Sequence, residues 1–376
     1  EWLNLSDEEK AKTVEPRKYN IITENSNESS LKNMDNIFKI QQMLKASVNP
    51  TYDLRDDIPE NVKIRNQKKT NSCWAFSTLG VLESHLALED KKNSRTAIAY
   101  DFSESHMDYS TVRTGIFTNN EINKFGYTRE LKDGGNIYMA TQYLANGFGA
   151  VDEEDFPFID RDDQATQDNN EKIDFSDIQN QEVKTTLYDT VMFDEDDPEI
   201  IQKMKQHIIN YGGLSVRIHG NNMLSGNYYN NATGAIYCDN RSEEPMDHGV
   251  VIIGWDDNYQ IENFNESQRP KSKGAWIIKN SWGESYSEDV GPIKEILFNV
   301  LGESNNWNSV EEVTNEDVIE FLENNFGKGK VSVEGEKVVI EQGNKGYMYV
   351  SYEDCNVYYD VVGIEKATNS KDFDNV

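Results

Sequence analysis

Gln67, Cys73, His248 and Asn280 are, in that chain order, the parts a thiol hydrolase requires. A thiol is a poor nucleophile at neutral pH until it ionises. Cys73 opens the run Cys73-Trp74-Ala75-Phe76 behind Ser72. A helix starting there sets the positive end of its dipole beside the sulfur. A neighbouring imidazolium lowers the thiol further. Of the five histidines, His85, His106 and His207 fall in or near helical patterns, and His219 ends a strand. His248, between Asp247 and Gly249 at the start of an apolar strand, is the candidate base. Its ring must be held in one orientation, and Asn280 is expected to accept the His248 Nδ1–H. Trp282 is expected to cover that bond and exclude water. The oxyanion needs fixed donors, which the Gln67 amide and the Cys73 backbone N–H supply. Each element alone is weak, since a Cys in a helix is usually a small hydrophobe. Their conjunction carries the reading, and the chemistry calls for no metal or organic cofactor.

Several elements must position these groups. Tyr52-Asp53-Leu54-Arg55 opens the compact part, and Ser72 is a suitable N-cap for a buried helix from Cys73 to about Leu88. Further helices are predicted after Ser103, over Asn136–Ala145 and over Glu199–Tyr211. The second half changes period. Short β-branched or aromatic strands are predicted at Leu214–His219, Gly249–Trp255, Gly274–Lys279 and Gly346–Tyr352. Residues 152–199 read as acidic and irregular. Within them Asp160, Asp162, Gln164, Asp168 and Glu171 have a spacing reminiscent of a calcium loop. Ala165 stands where the turn needs Gly, so the segment reads as a solvated loop. Between 285 and 343, Thr314 with Asp317 is expected to cap a helix, and Glu334-Gly335-Glu336 marks a hairpin. This is read as a helix-plus-hairpin insertion. Residues 1–50 are polar, with helical stretches at Ser6–Lys12 and Met34–Ala46 joined by the flexible 24–30 connection.

The 376 residues suffice for one large or two smaller domains. A net charge of −30 repels phosphates and anionic lipid, so nucleic acid is not an expected partner. The same charge opposes self-association, and a monomer is expected. No run of about 18 apolar residues is present to span a membrane. Three cysteines are too few for a disulfide scaffold. With Cys73 a free nucleophile, only Cys238 and Cys355 remain to pair. The start at Glu1 rather than Met is expected to reflect an upstream segment already removed.

These motifs resemble the papain-like cysteine peptidases. Gln67, Ser72-Cys73-Trp74-Ala75-Phe76, Asp247-His248 and Asn280-Ser281-Trp282-Gly283 match the family pattern over about residues 52–284, resuming at Gly346–Tyr352. So do Gly134-Gly135, whose backbone in the family pairs with substrate as an added strand. The resemblance implies an α+β, two-lobed fold. A helical left lobe (about 60–150) faces an antiparallel β-barrel right lobe (about 185–284 plus 344–362). The catalytic domain is 51–284 and 344–376, and 1–50 is a propeptide-like segment that inhibits until removed. The implied function is a secreted or cell-surface bacterial endopeptidase made as a zymogen, with protein or peptide substrates. An aminopeptidase on the same fold, or an idle binding or adhesion module, are the alternatives. For the aminopeptidase, the 285–343 insertion or the tail after Asp360 would block the cleft.

There are departures from the pattern. The family has a Cys three residues before the nucleophile and a Gly two before it; here these are Thr70 and Asn71. The disulfide that usually ties the loop is absent, and the Asn71 side chain is expected to narrow the S1 site. His248 lies 175 residues after Cys73 (248 − 73), against a usual spacing of roughly 130–150. The surplus is placed in 91–130 and 160–195. By resemblance Asn136, Ile137, Met246 and Arg217 approach the S2 pocket, where Arg217 would favour an acidic or polar P2 residue. Arg217 could equally pair with a nearby acid.

Overall fold

A single helix forms the spine of the molecule. In this computed structural model, which describes residues 49–96, 98–160, 173–220, 228–230, 232–239, 246–283, 285–326, 331–341 and 346–369, that helix is Cys73–Lys92. The expectations for 1–48, and all of the calcium-like loop beyond Asp160, lie outside the described residues. The spine is buried on nearly every face from Trp74 to Leu88, as a helix apolar all round must be. It runs past the expected Leu88 because Glu89, Lys91 and Lys92 favour the helix, and the two lysines complement its C-terminal dipole. Ser72 is the N-cap by position but not by bond. Its φ and ψ are −101° and 14°, and its hydroxyl makes no cap hydrogen bond. That hydroxyl lies 2.5 Å from Thr70 Oγ1 instead.

We number the other helices and all strands in chain order, the spine being α2. The helices are α1 (Leu54–Asp57), α3 (Glu104–Ser110), α4 (Ile137–Ala145), α5 (Phe175–Gln179), α6 (Ile200–Tyr211), α7 (Val290–Asn305) and α8 (Asn315–Phe326). The strands are β1 (Thr51–Asp53), β2 (Thr185–Met192), β3 (Leu214–Ile218), β4 (Tyr229–Asn230), β5 (Ala235–Ile236), β6 (His248–Asp256), β7 (Ala275–Lys279), β8 (Ser285–Asp289), β9 (Val331–Glu334), β10 (Lys337–Glu341), β11 (Tyr347–Ser351) and β12 (Val362–Asn369).

Nine strands form one sheet in the order β2-β12-β3-β6-β7-β11-β5-β4, with β1 on β6. Its pairings are antiparallel except β5 with β11. Among the described residues its end strands, β2 and β4, do not pair with each other. Spine and sheet meet through Ser77, whose hydroxyl donates to Val250 O (2.8 Å) and touches Ser215 Oγ (2.6 Å).

Six strands were not foreseen: β1, β4, β5, β8 and the two longest of them, β2 and β12. Segment 185–192, read as irregular, is β2, and the tail after Asp360 is β12, lying between β2 and β3. Their mutual pairing stabilises both, yet some 170 residues separate them in sequence. A window of local periodicity cannot register such a partner. The strand bulges around Lys366, which further blurs the alternation.

Residues 285–341 build a second, three-stranded sheet, β8-β10-β9. Leu297, Val313, Val318, Leu322, Val331 and Val338 form a core of their own there. The expected α8 and hairpin are present. Asp317 N–H donates to Thr314 Oγ1 (3.2 Å) while Thr314 N–H donates to Asp317 Oδ2 (2.8 Å), a reciprocal cap. Strand β8 and helix α7 were not expected.

Candidate active site

Strand register sets the site. β6 and β7 run antiparallel with Val251 opposite Lys279. Continuing that register three residues past Lys279 carries Trp282 to His248 at the start of β6. Their ring centroids are 4.6 Å apart, tilted by 31°. Asn280, 1% exposed, accepts from a His248 ring nitrogen at 2.7 Å. That nitrogen is Nε2, not the expected Nδ1. The correction is geometric: β6 directs the far side of the imidazole toward β7 and leaves Nδ1 for the sulfur. Asn280 Oδ1 also accepts the Ser281 N–H (2.8 Å), which fixes the amide.

The spine presents Cys73 to this ring. Burial alone would push the thiol up. The hydrogen bond and charge of His248, with the N–H groups of Gly249 and Trp74, outweigh it and hold the thiol below its ordinary value. His248 moves the opposite way. Burial works to lower it, but the bond and charge of Cys73, then Asn280 and Asp247, hold it above the usual imidazole range. Opposite displacements of this kind favour the thiolate–imidazolium form of the pair.

Gln67, 6% exposed, is locked beside the nucleophile. Its Nε2 donates to Thr70 O (2.8 Å), and its Oε1 accepts from Ser281 Oγ (2.7 Å). An amide carries two N–H donors, so one remains to serve an incoming oxygen. Ser281 thus touches both Gln67, the candidate oxyanion donor, and Asn280, the residue bonded to the imidazole. The sequence offered no signal for this role beyond its place between Asn280 and Trp282.

Beneath the site lies a partly buried ion cluster, with Asp101 at its exposed edge. Arg65, two residues before Gln67, meets Glu83 (2.9 Å), Asp101 (2.7 Å) and Glu104 (3.0 Å). Burial pushes the Glu83 carboxyl up against the pull of Arg65 and Lys279. The same burial pulls Lys279 down against the Glu83 charge. Lys279 immediately precedes Asn280, so the cluster adjoins two of the four candidate site residues in the chain. Charges 196 positions apart in sequence (279 − 83) gave no warning of it.

The profile of the papain family cysteine proteases matches residues 48–291. The chain belongs to this family. Cysteine proteinase 15A of Pisum sativum is 26% identical over 250 residues, covering 65% of this chain and 58% of the pea protein. Cathepsin K of Mus musculus is 24% identical over 223 residues, 59% of this chain and 53% of the cathepsin. The chain therefore spans under two thirds of these relatives. Among solved structures, the cysteine protease and lectin-like domains of Cwp84, a surface layer associated protein of Clostridium difficile, match with a TM-score of 0.57. That match is at 23% identity, over 86% of this chain and 52% of Cwp84, and it shows the shared papain-like fold.

Where the papain pattern is broken, hydrogen bonds hold the loop. Thr70 Oγ1 donates to Gln67 O (2.6 Å), and Asn71 Nδ2 donates to Lys132 O (2.5 Å). The Asn71 side chain therefore spans from the nucleophile loop to the segment leading into Gly134 and Gly135. Asn136 caps α4, accepting from the Tyr138 and Met139 N–H groups (both 3.1 Å). Ile137 is buried at the start of α4. Arg217 does meet an acid: Nη1 lies 3.2 Å from Asp360 Oδ2, and Nη2 donates to Met246 O (2.8 Å). Tyr138 OH donates to the other Asp360 oxygen (3.1 Å). Asp360 was not foreseen as a neighbour of Arg217, because only β12 brings it there. Exposed Asp247 accepts the Gly220 N–H (2.7 Å). Among the described residues no disulfide forms; Cys355 N–H donates to Cys238 O (3.0 Å). No described helix is long and apolar enough to cross a membrane.

Proposed function

We propose that the protein is a cysteine endopeptidase acting through a Cys73 acyl-enzyme. The Cys73 thiolate attacks the scissile carbonyl, and the oxyanion is received by the Gln67 amide and the Cys73 N–H. The His248 imidazolium then protonates the leaving amine, which departs and leaves a thioester. His248 next removes a proton from water, whose oxygen attacks the thioester. Collapse releases the acid and restores the thiolate. The observation that carries this reading is the linked set Cys73–His248–Asn280 with Gln67 tied to it through Ser281.

Substrate would lie along Gly134-Gly135 as an added strand. Asn71 and Ser72 would border S1, and Ile137, Asn136, Met246 and Arg217 would border S2. With Arg217 engaged by Asp360, S2 offers a paired charge, which favours a polar over a large apolar P2 residue. Residues 1–50 would act as an inhibitory propeptide. Residues 285–343 would be an appended module, and the enzyme would work as a monomer outside the cell. Cwp84, being a surface layer associated protein, supports a site of action at a bacterial surface. The test is cleavage of an internally quenched peptide with both ends blocked, under reducing conditions. Hydrolysis by wild type and none by Cys73→Ala is expected. Release of single residues from free N-termini alone would sink the endopeptidase assignment.

A further inference from the structure

Arg129 is a buried arginine with no part in the chemistry so far. Its side chain is 4% exposed, and that of its partner Asp108 is 1% exposed. Nη2 donates to Asp108 Oδ1 (2.5 Å), to Asp108 O (2.8 Å) and to Thr111 Oγ1 (2.8 Å). Nη1 donates to Gly134 O (2.9 Å) and to Glu130 O (3.2 Å). The guanidinium also sits 5.3 Å from the ring of Trp74, the residue after the nucleophile. Gly135 rests on that same indole, since a Cβ there would come within 2.3 Å of Trp74 Cε2.

Stability alone does not explain such a residue. A buried ion pair is commonly replaced by apolar side chains at no loss. Here Arg129 Nε is buried without a hydrogen-bond partner, so even the fork is incompletely used. What an apolar side chain could not do is grip a carbonyl. Gly134 needs that grip: its φ of +70° and ψ of −159° are glycine-only backbone, and it has no side chain to anchor it. From the opposite side, Asn71 holds Lys132 O. The segment leading to Gly134 is thus clamped by two polar side chains, beside a nucleophile loop that has lost its usual cysteine at Thr70.

We infer that Arg129, charge-paired with Asp108, is a positioning residue that holds the Gly134-Gly135 edge in register for an extended peptide. This rests on the proposed reading of that edge as the substrate-pairing strand. A peptide that uses the edge should feel the loss of Arg129; a small reagent that meets only the sulfur should not.

The full chain, activated as for the wild type, is compared as Arg129→Met, Arg129→Lys and the double variant Asp108→Leu/Arg129→Met. Two rates are read at Cys73: alkylation by iodoacetamide, and inactivation by a dipeptidyl epoxide. Losing a hydrogen bond from a charged donor should slow the peptidyl reagent about tenfold or more in Arg129→Met. The iodoacetamide rate and its pH profile should stay as in wild type. For peptide substrates KM should rise while kcat holds, and Arg129→Lys should recover part of the loss. Should the single variant fail to fold with Asp108 unpaired, the double variant, which leaves no lone buried charge, gives the same readout. Equal slowing of both reagents, or no slowing of either, overturns the assignment. A wild type alkylated by iodoacetamide yet inert to the dipeptidyl reagent would instead overturn the peptide-cleft reading, and this inference with it.

Discussion

The catalytic seam and the 285–341 segment are stabilised in opposite ways. In the seam the buried groups include Gln67, Glu83, His248, Lys279, Asn280 and Ser281, and they are tied by directional bonds such as His248–Asn280 and Ser281–Gln67. In 285–341 the buried cluster is aliphatic, and the polar contacts, such as the Thr314–Asp317 cap, are exposed. The first arrangement costs desolvation and gives directional constraint; the second gives stability without direction. Substitutions in the seam should therefore register in rate, and those in the other segment in stability.

The largest expected effect is at the nucleophile. Cys73→Ala should cut hydrolysis by about 10⁴-fold or more while leaving chemical denaturation near wild type. A matching collapse in stability would erase the contrast. Gln67→Ala should lower kcat by about 10²–10³-fold, the usual loss for one oxyanion donor. Steady-state kinetics on one peptide separates this from a KM effect.

The next prediction joins both currencies, because Lys279 belongs to the ion cluster and adjoins Asn280. Lys279→Met leaves the acids of the cluster with Arg65 alone and should cost about 3–5 kcal/mol, read by urea denaturation. Activity should fall too, through Asn280. Full activity at reduced stability would show that the cluster does not position the site.

Acid and base limits sharpen the seam further. kcat/KM should rise with pH as Cys73 ionises, at a pH below the ordinary thiol value of about 8.5. It should fall again as His248 deprotonates, above the ordinary imidazole value of about 6.5. Because Asn280 favours the protonated ring, Asn280→Ala should move the alkaline limb to lower pH. These limits belong to the coupled pair, so both limbs need to be recorded. An unmoved alkaline limb would remove Asn280 from that role.

The smallest effect on activity is expected in the other region. Leu297→Ala should destabilise the 285–341 core by about 2–5 kcal/mol, seen as faster hydrogen exchange in its peptides. Hydrolysis of a short peptide should be unchanged. A parallel loss of activity would join the two regions and defeat the comparison.

Much of the site was legible because its parts lie in short, self-contained runs. The run Ser72–Phe76 reads as a helix start, Asp247-His248-Gly249 as a strand start, and Asn280–Gly283 as a turn after an apolar strand. The four residue types follow from the chemistry and need no partner search. Errors arose where a second chain segment decides. Ser72 turned from its cap because Thr70 took its hydroxyl. Segment 185–192 became a strand because β12 lies beside it. The ring nitrogen facing Asn280 depended on the direction in which β6 meets β7.

The sequence by itself pointed to the candidate reaction parts and their order, since residue types suited to a nucleophile, a base, an orienting amide and an oxyanion donor are recognisable in local context. Only the tertiary structure decided how they are held: the Ser281 link, the Arg65–Glu83–Lys279 cluster, the Asp360 partner of Arg217 and the Arg129 clamp. Each depends on groups that the fold, rather than the local sequence, brings together, with an energy that depends on burial and angle. Neither quantity exists until the sheet closes its register on the central helix.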